Sequence, residues 1–233
     1  MRLNWKALWP GIFVAVFLGL PSTAAHGQDN LKGVLDRLDV AAANFHSASA
    51  DVEFDNITTD PVPDIDVQKG VVYYDRKGGS VRMGVHMSEH NGKPSGKAYT
   101  YINGQFKLFE QGPNQVTTFK NAGKYESYVI LGMGASGKDL AAKWDIQDIG
   151  QETMDGTKTE KLELVAKDPS VRKNLQKVTI WVDPERAVSM KQIFTTSATS
   201  SYVATYKDFK FNSSLPGDAF TFKTNHDTIY KTQ

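Results

Sequence analysis

The chain has 233 residues, 40% of them hydrophobic and 23% charged, which are the values of an ordinary globular protein. Lys and Arg number 27 against 26 Asp and Glu, and so neutral a balance argues against nucleic acid as a partner, because phosphate binding needs a basic surface. There is no cysteine, which excludes disulfides, iron–sulfur ligation, a cysteine nucleophile and lipid attachment at a lipobox cysteine.

Residues 1–27 read as a signal peptide. Arg2 and Lys6 form a basic start, and Ala7 to Leu20 form an apolar stretch interrupted only by Pro10. PSTAAHGQ then supplies small residues for cleavage, expected after Gly27 with Ala25 as the alternative. The apolar run is shorter than the roughly 20 residues of a membrane-spanning helix. What remains, residues 28–233, has the length of a single domain. The expectation is an exported, monomeric protein that is soluble and not lipidated.

LKGVLDRLDVAAANF (31–45) places Leu31, Val34, Leu35, Leu38, Ala41, Ala42 and Phe45 on one helical face. SASADVEFD then turns polar and alternating. ITTDPVPDID (57–66), with its prolines and carboxylates, reads as a mobile acidic loop. Strands and turns follow: VQKGVVYYDR, SVRMGVHM, KAYTYIN, QFKLFEQ and NQVTTFK, punctuated by KGG, NGKPSG, NG and GPN. Asn103–Gly104 is the strongest hairpin signal. An insert, NAGKYESYVILGMGASGKDLAAKW (121–144), reads as short helical pieces, because its glycines break any long helix. Then come DIQDIGQE, KTEKLELVAK, KVTIWVDP, AVSMKQIFTTS, SYVATYKDFKFN and AFTFKT. The total is about eleven strands with an N-terminal helix and a helical insert, a mainly β (α+β) fold. An antiparallel sheet of that width must curl to bury one face, and the helices are its natural cover.

Catalytic patterns are weak. HMSEH (86–90) offers His86 and His90 at a metal-ligand spacing, but Val81, Met83, Val85 and Met87 alternate as in a strand, so the histidines read as a solvated strand end. The acidic loop 59–66 lacks the register of a calcium loop. GMGASGK (132–138) lacks the phosphate-loop spacing, and no nucleophile elbow is present. The expectation is a protein without enzymatic activity or cofactor.

Several strings resemble the LolA family of periplasmic outer-membrane lipoprotein carriers. KGVVYYDR (69–76) is similar to that family's second strand, which ends at an arginine before a tight turn, and SVRMGV (80–85) is similar to the next. YINGQFKLFEQGPNQVTTF (101–119) follows its central hairpins. YVILGMGASGKDLAAKWDI (128–146) resembles its helical lid, and residues 162–194 and 206–222 resemble its later strands and ending. Lys77 stands where the family has proline, and Val81 and Met83 where it has aromatics. The resemblance implies an unclosed half-barrel whose concave face holds acyl chains beneath a lid. It makes Arg76 the residue that holds the lid shut through its backbone. It points to Val72, Tyr74, Val81, Met83, Val85, Leu131 and Met133 as the ligand-facing side chains. Arg82 then reads as an ordinary outward charge. Expected partners are a lipoprotein or lipid cargo, an inner-membrane release complex and an outer-membrane acceptor. Because relatives on this scaffold also include envelope-stress sensors, a lipid-sensing interaction module stays open beside the carrier.

The physical pattern suits carriage. Each methylene removed from water is worth about 0.8 kcal/mol, so acyl chains can be held without a catalytic group, and methionines adapt to varied chains.

Overall fold

A computed structural model describes residues 23–77, 80–120 and 131–233. Most of the expected signal peptide and the first part of the insert lie outside the described residues, as does the turn at 78–79. Helix α1 spans Thr23–Ala43, beginning earlier than the periodic stripe and including residues 23–27.

Strands β1 (Ser47–Thr58), β2 (Asp64–Lys77), β3 (Ser80–His90), β4 (Lys93–Ile102), β5 (Gln105–Glu110) and β6 (Gln115–Phe119) form one antiparallel meander. After the short helix α2 (Gly137–Lys143), a second meander runs through β7 (Trp144–Met154), β8 (Thr157–Ala166), β9 (Lys177–Asp183), β10 (Val188–Thr195) and β11 (Ser200–Phe211). A single helical turn, α3 (Pro169–Arg172), lies between β8 and β9. Antiparallel pairing of β1 with β11 joins the two halves, and β12 (Ile229–Thr232) adds to β6 in parallel. The result is one twelve-stranded sheet whose ends, β12 and β7, do not pair. This is the unclosed half-barrel implied by the resemblance. Tight turns at Asn91–Gly92, Asn103–Gly104 and Asp155–Gly156 each place two consecutive residues at positive φ, the geometry that matches the twist of a two-residue hairpin.

Three stretches differ from expectation. The polar, alternating segment after α1, outside the eleven expected strands, is β1, paired along its length with β2 on one side and β11 on the other. Ser and Asp are poor strand formers, but Ala48, Ala50 and Val52 are buried on alternate positions, and pairing on both edges outweighs local preference. The acidic loop shrinks to residues 59–63, because β1 continues to Thr58 and β2 starts at Asp64. AFTFKT is not a strand. It belongs to an irregular strap, residues 213–228, that crosses the outer face of β3–β5. Phe222 stacks on Phe109 at 5.7 Å, and the Phe220 ring lies 4.4 Å from the Arg82 guanidinium carbon. At Gly84 a Cβ would meet the Ala219 carbonyl oxygen at 1.8 Å, so the strap can pass this closely only over glycine.

The strap also changes two sequence readings on that face. Arg82 is not an ordinary outward charge: it pairs with Asp75 beneath Phe220. His86 is not a solvated strand end. Its ring packs edge-on against Tyr73 with centroids 5.5 Å apart, and its Nε2 is buried without a hydrogen bond. Burial lowers the His86 pKa, and the charge of Asp218 opposes that shift.

The concave face is filled unevenly. Val34, Leu38 and Ala42 of α1 pack on Leu162, Leu164, Ile180 and Val182 of β8 and β9. Each such side chain contributes about 1.5–3 kcal/mol of burial. Arg37 fixes the helix in register by donating to Glu160 at 2.6 Å, and that carboxylate is only 2% exposed. Gln151 donates to the same oxygen at 2.9 Å. The helix thus covers β7–β10 and leaves the β1–β5 side to other side chains.

Two outcomes are expected. Arg37→Met leaves the Glu160 carboxylate buried with its cation gone; because Arg37 is 42% exposed, the loss is about 2 kcal/mol in denaturant unfolding, below the roughly 3–5 kcal/mol of a fully buried pair. A histidine whose folded pKa is depressed contributes stability that is present above its ordinary value of 6.5 and lost as pH falls through the folded pKa. His86→Phe therefore flattens the fall in melting temperature between pH 7 and 5, and an unchanged slope would assign that fall to other groups.

Candidate functional site

On the uncovered side, inward positions of neighbouring strands line a cavity of about 370 Å3, within the usual range for small-ligand sites. Its floor is Phe54 of β1, Tyr74 of β2, and Met83 and Val85 of β3. Tyr99 and Phe106 wall one side, their rings 6.1 Å apart. Phe194, Ala204 and Tyr206 wall the other. These residues meet because a strand sends alternate side chains to one face, and strand pairing sets Val85 beside Tyr99 and Phe194 beside Tyr202.

One end of the cavity is crossed by a buried polar line. Tyr74 and Tyr206 share a hydrogen bond between their hydroxyls. The Tyr206 hydroxyl donates to Gln192 Oε1 at 3.3 Å, and Gln192 Nε2 donates to the Leu131 carbonyl. Burial pushes both tyrosine hydroxyls well above their ordinary value, so they stay protonated and serve as donors.

Residues 131–136, the described part of the insert ahead of α2, form a short irregular segment, called the lid below. Ser189 N–H donates to the Gly132 carbonyl and Gly134 N–H donates to the Ala187 carbonyl, both at 2.7 Å, while Met133 bridges to Val188. Arg76 Nη2 then donates to the Gly134 carbonyl at 2.6 Å. The lid is thus gripped at two backbone carbonyls by side chains from opposite halves of the sheet, Arg76 from β2 and Gln192 from β10. The string GMGASGK explains how it fits. Gly132 and Gly134 have φ of +68° and +69°. A Cβ at Gly134 would lie 2.3 Å from the Phe45 ring, and one at Gly137 would lie 2.2 Å from the Leu35 carbonyl of α1. These glycines let the chain pass closely by Ser189 of β10, the Phe45 ring and, at Gly137, the backbone of α1.

The structure separates the residues singled out from sequence. Tyr74, Met83 and Val85 line the cavity. Val72 and Met133 are buried in the apolar cluster around it without lining it. Val81 is buried opposite Arg76 in the β2–β3 pairing, and Leu131 belongs to the core beneath α1. Sequence reasoning missed Gln192, Tyr206, Phe54, Phe106 and Ala204, all from strands far apart in the chain. The one available signal was period-two alternation in β10 and β11, which marks an inward face but not which part of it stays unfilled.

At the other end the cavity opens near the β1–β2 loop, where Asn56 and Tyr202 line the mouth and Tyr202 is 51% exposed. A second polar line leads outward from Tyr99, whose hydroxyl donates to Gln68 Oε1 at 3.4 Å. Gln68 Nε2 donates to Asp66 Oδ1 at 3.2 Å, and Asp66 Oδ2 lies 2.5 Å from His90 Nε2. That bond to His90 lowers the Asp66 pKa, so Asp66 stands as a carboxylate at the mouth. A β-bulge between Met87 and Glu89 turns His90 to the inner face while His86 points outward, so the two histidines do not share one face. Among the described residues no group of three or more His, Asp or Glu is placed to hold a metal ion.

A second groove, of about 420 Å3 beside the C-terminal half of α1, is lined by Asp36, Arg37, Glu185 and Arg186. Its arginines already pair with Glu160, Glu185 and Asp183, so it suits water better than an apolar ligand. No helix among the described residues is long and apolar enough to cross a membrane.

No protein-family model matches the chain, and no curated protein matches it by sequence. Solved structures do match in fold. An uncharacterized conserved protein from Thermus thermophilus aligns over 88% of this chain and 99% of its own, at 11% identity and a TM-score of 0.53. MucB aligns over 84% of this chain at 10% identity and a TM-score of 0.52, and the chain spans 64% of MucB's length. The LolA superfamily protein NE2245 from Nitrosomonas europaea aligns over 82% of this chain and 97% of its own, at 18% identity, with a TM-score of 0.40. At these identities the first two likenesses show a shared fold, and the third adds no weight.

A lid gripped through glycine backbone is testable locally. Gly134→Ala forces a side chain into left-handed φ at a cost of roughly 1–2 kcal/mol and against Phe45. Amide hydrogen exchange over residues 131–136 is expected to quicken about tenfold, with exchange in β1 and β2 unchanged.

Proposed function

We propose that the protein is a non-enzymatic periplasmic carrier that binds acyl chains of lipoproteins or other lipids and shuttles them towards the outer membrane. The observation that carries this reading is an apolar cavity beside a segment of the insert whose Gly134 and Leu131 carbonyls accept from Arg76 and Gln192.

The arrangement works as a balance of modest energies. A hydrogen bond from a charged donor is worth about 1.5–3 kcal/mol and one between neutral groups about 0.5–1.5 kcal/mol. Parting the lid from both donors therefore costs about 2–4 kcal/mol, which burial of roughly three to five methylenes offsets. Both acceptors are backbone carbonyls of the lid, and its backbone bonds to Ala187 and Ser189 and the buried side chains of Leu131 and Met133 add to the grip. When cargo props the lid away, Arg76 is left without its acceptor, and re-forming that bond drives release. An acceptor protein then needs to supply only part of the free energy of transfer.

The likeness to MucB supports a second reading, a lipid-sensing or envelope-stress interaction module on the same scaffold. A carrier retains lipid through purification and yields it to an acceptor. A sensor changes its affinity for a protein partner when lipid binds.

Native mass spectrometry of protein purified from its own periplasm is expected to show bound lipid or lipoprotein. Empty protein that also fails to take up a fluorescent apolar probe would sink the carrier reading. Arg76→Leu is expected to hold cargo more tightly and release it about tenfold more slowly, in keeping with the loss of one charge-assisted bond of about 1.5–3 kcal/mol. An unchanged release rate removes Arg76 from the mechanism. Gln192→Leu is expected to act in the same direction more weakly.

A further inference from the structure

The cavity's size and polar fittings narrow the cargo, an inference that rests on the carrier reading above. At about 370 Å3 the cavity lies near the lower end of the roughly 300–1,000 Å3 of small-molecule sites, room for one slim chain rather than several side by side. Its inner end is bounded by Tyr74, Tyr206 and Gln192, whose polar atoms are turned on one another and on the lid. That end presents a wall to a chain, not an anchor. From Val52, which pairs with Tyr206, to Asn56 at the mouth is four residues of β1, about 13 Å of strand.

The mouth differs from the interior. Asn56 and Gln68 offer amide groups and Tyr202 a phenol, all neutral hydrogen-bonding groups lining the cavity. Just outside them stands Asp66, bonded to His90 and Gln68. Lys97, the nearest cation on the neighbouring strand, faces Glu110 at 3.9 Å. An anionic head entering here would meet the Asp66 carboxylate at short range, where like charges repel appreciably even near a surface.

We infer that the cavity takes a single apolar chain with an uncharged, hydrogen-bonding head, of the class of medium-chain monoesters and amides. The head sits at Asn56 and Gln68, and the chain runs inward over Val85 and Ala204 to Tyr206.

The test uses the full delipidated protein, a fluorescent apolar probe for displacement, and native mass spectrometry for stoichiometry. Monodecanoylglycerol is expected to bind one per protein and to displace the probe at least tenfold more tightly than decanoate, while dioleoylphosphatidylcholine does not displace it. Gln68→Leu is expected to weaken monodecanoylglycerol about tenfold while leaving the apolar probe unaffected, and Ala204→Phe is expected to exclude both. Decanoate binding as tightly as the monoester, phosphatidylcholine displacing the probe, or two chains per protein would overturn the inference and leave the carrier reading standing. A folded protein, checked by circular dichroism, that binds neither the probe nor any of these lipids would overturn both.

Discussion

The apolar stripe of α1 and the Arg37–Glu160 pair hold the helix over β7–β10, and the rest of the molecule depends on where that leaves it. A twelve-stranded sheet has more concave surface than one helix can cover. The half under α1 becomes a packed core, with Leu162, Leu164 and Ile180 fully buried. The other half is lined by large side chains that still leave space between them. The cavity is what remains when one helix is asked to fill a half-barrel.

The lid follows from the same constraint. It must pass between the core under α1 and the cavity, touching Phe45 and Leu35 on one side and Ser189 on the other. Only glycine fits those approaches at 132, 134 and 137, where the chain presents backbone to its neighbours, while Met133 and Ala135 bury their side chains. Its carbonyls are therefore the groups available to be gripped, and Arg76 and Gln192 reach them from the two meanders. The second of these side chains also accepts from Tyr206, which lies in the cavity wall. Residues 131–136 and the cavity wall are thus joined by one hydrogen-bonded path, from the Leu131 carbonyl through Gln192 to Tyr206.

The outer face carries its own constraint. The strap from 213 to 228 covers β3–β5 where an exposed row of Tyr73, Arg82 and His86 would otherwise meet water, and β12 pairs with the edge of β6. Pairing of that edge limits strand-to-strand association with other molecules. At the opposite edge, β7 carries a bulge between Asp148 and Gly150, a device that twists an edge away from such pairing.

Much of this was legible in the residues themselves. Alternation in β2, β3, β8 and β9, and the Asn-Gly and Asp-Gly pairs, determine strands and turns, because side-chain period and φ preference are local properties. The heptad-like stripe from Leu31 determines an amphipathic helix with one buried face. The family resemblance alone marked Arg76, at the end of its strand, as a partner of the insert's backbone, and its bond to the Gly134 carbonyl is of that kind. Tertiary structure alone decided the rest. β1 is a strand because β2 and β11 pair with both its edges, although its serines and aspartates favour turns. AFTFKT is a strap because Arg82 and Phe109 offer its aromatics a better surface than a sheet edge does. His86 and His90 part because one bulge shifts the register, and Gln192 reaches the lid because β10 lies across the sheet from β2. Each of these depends on contacts between residues distant in the chain, which no local period records.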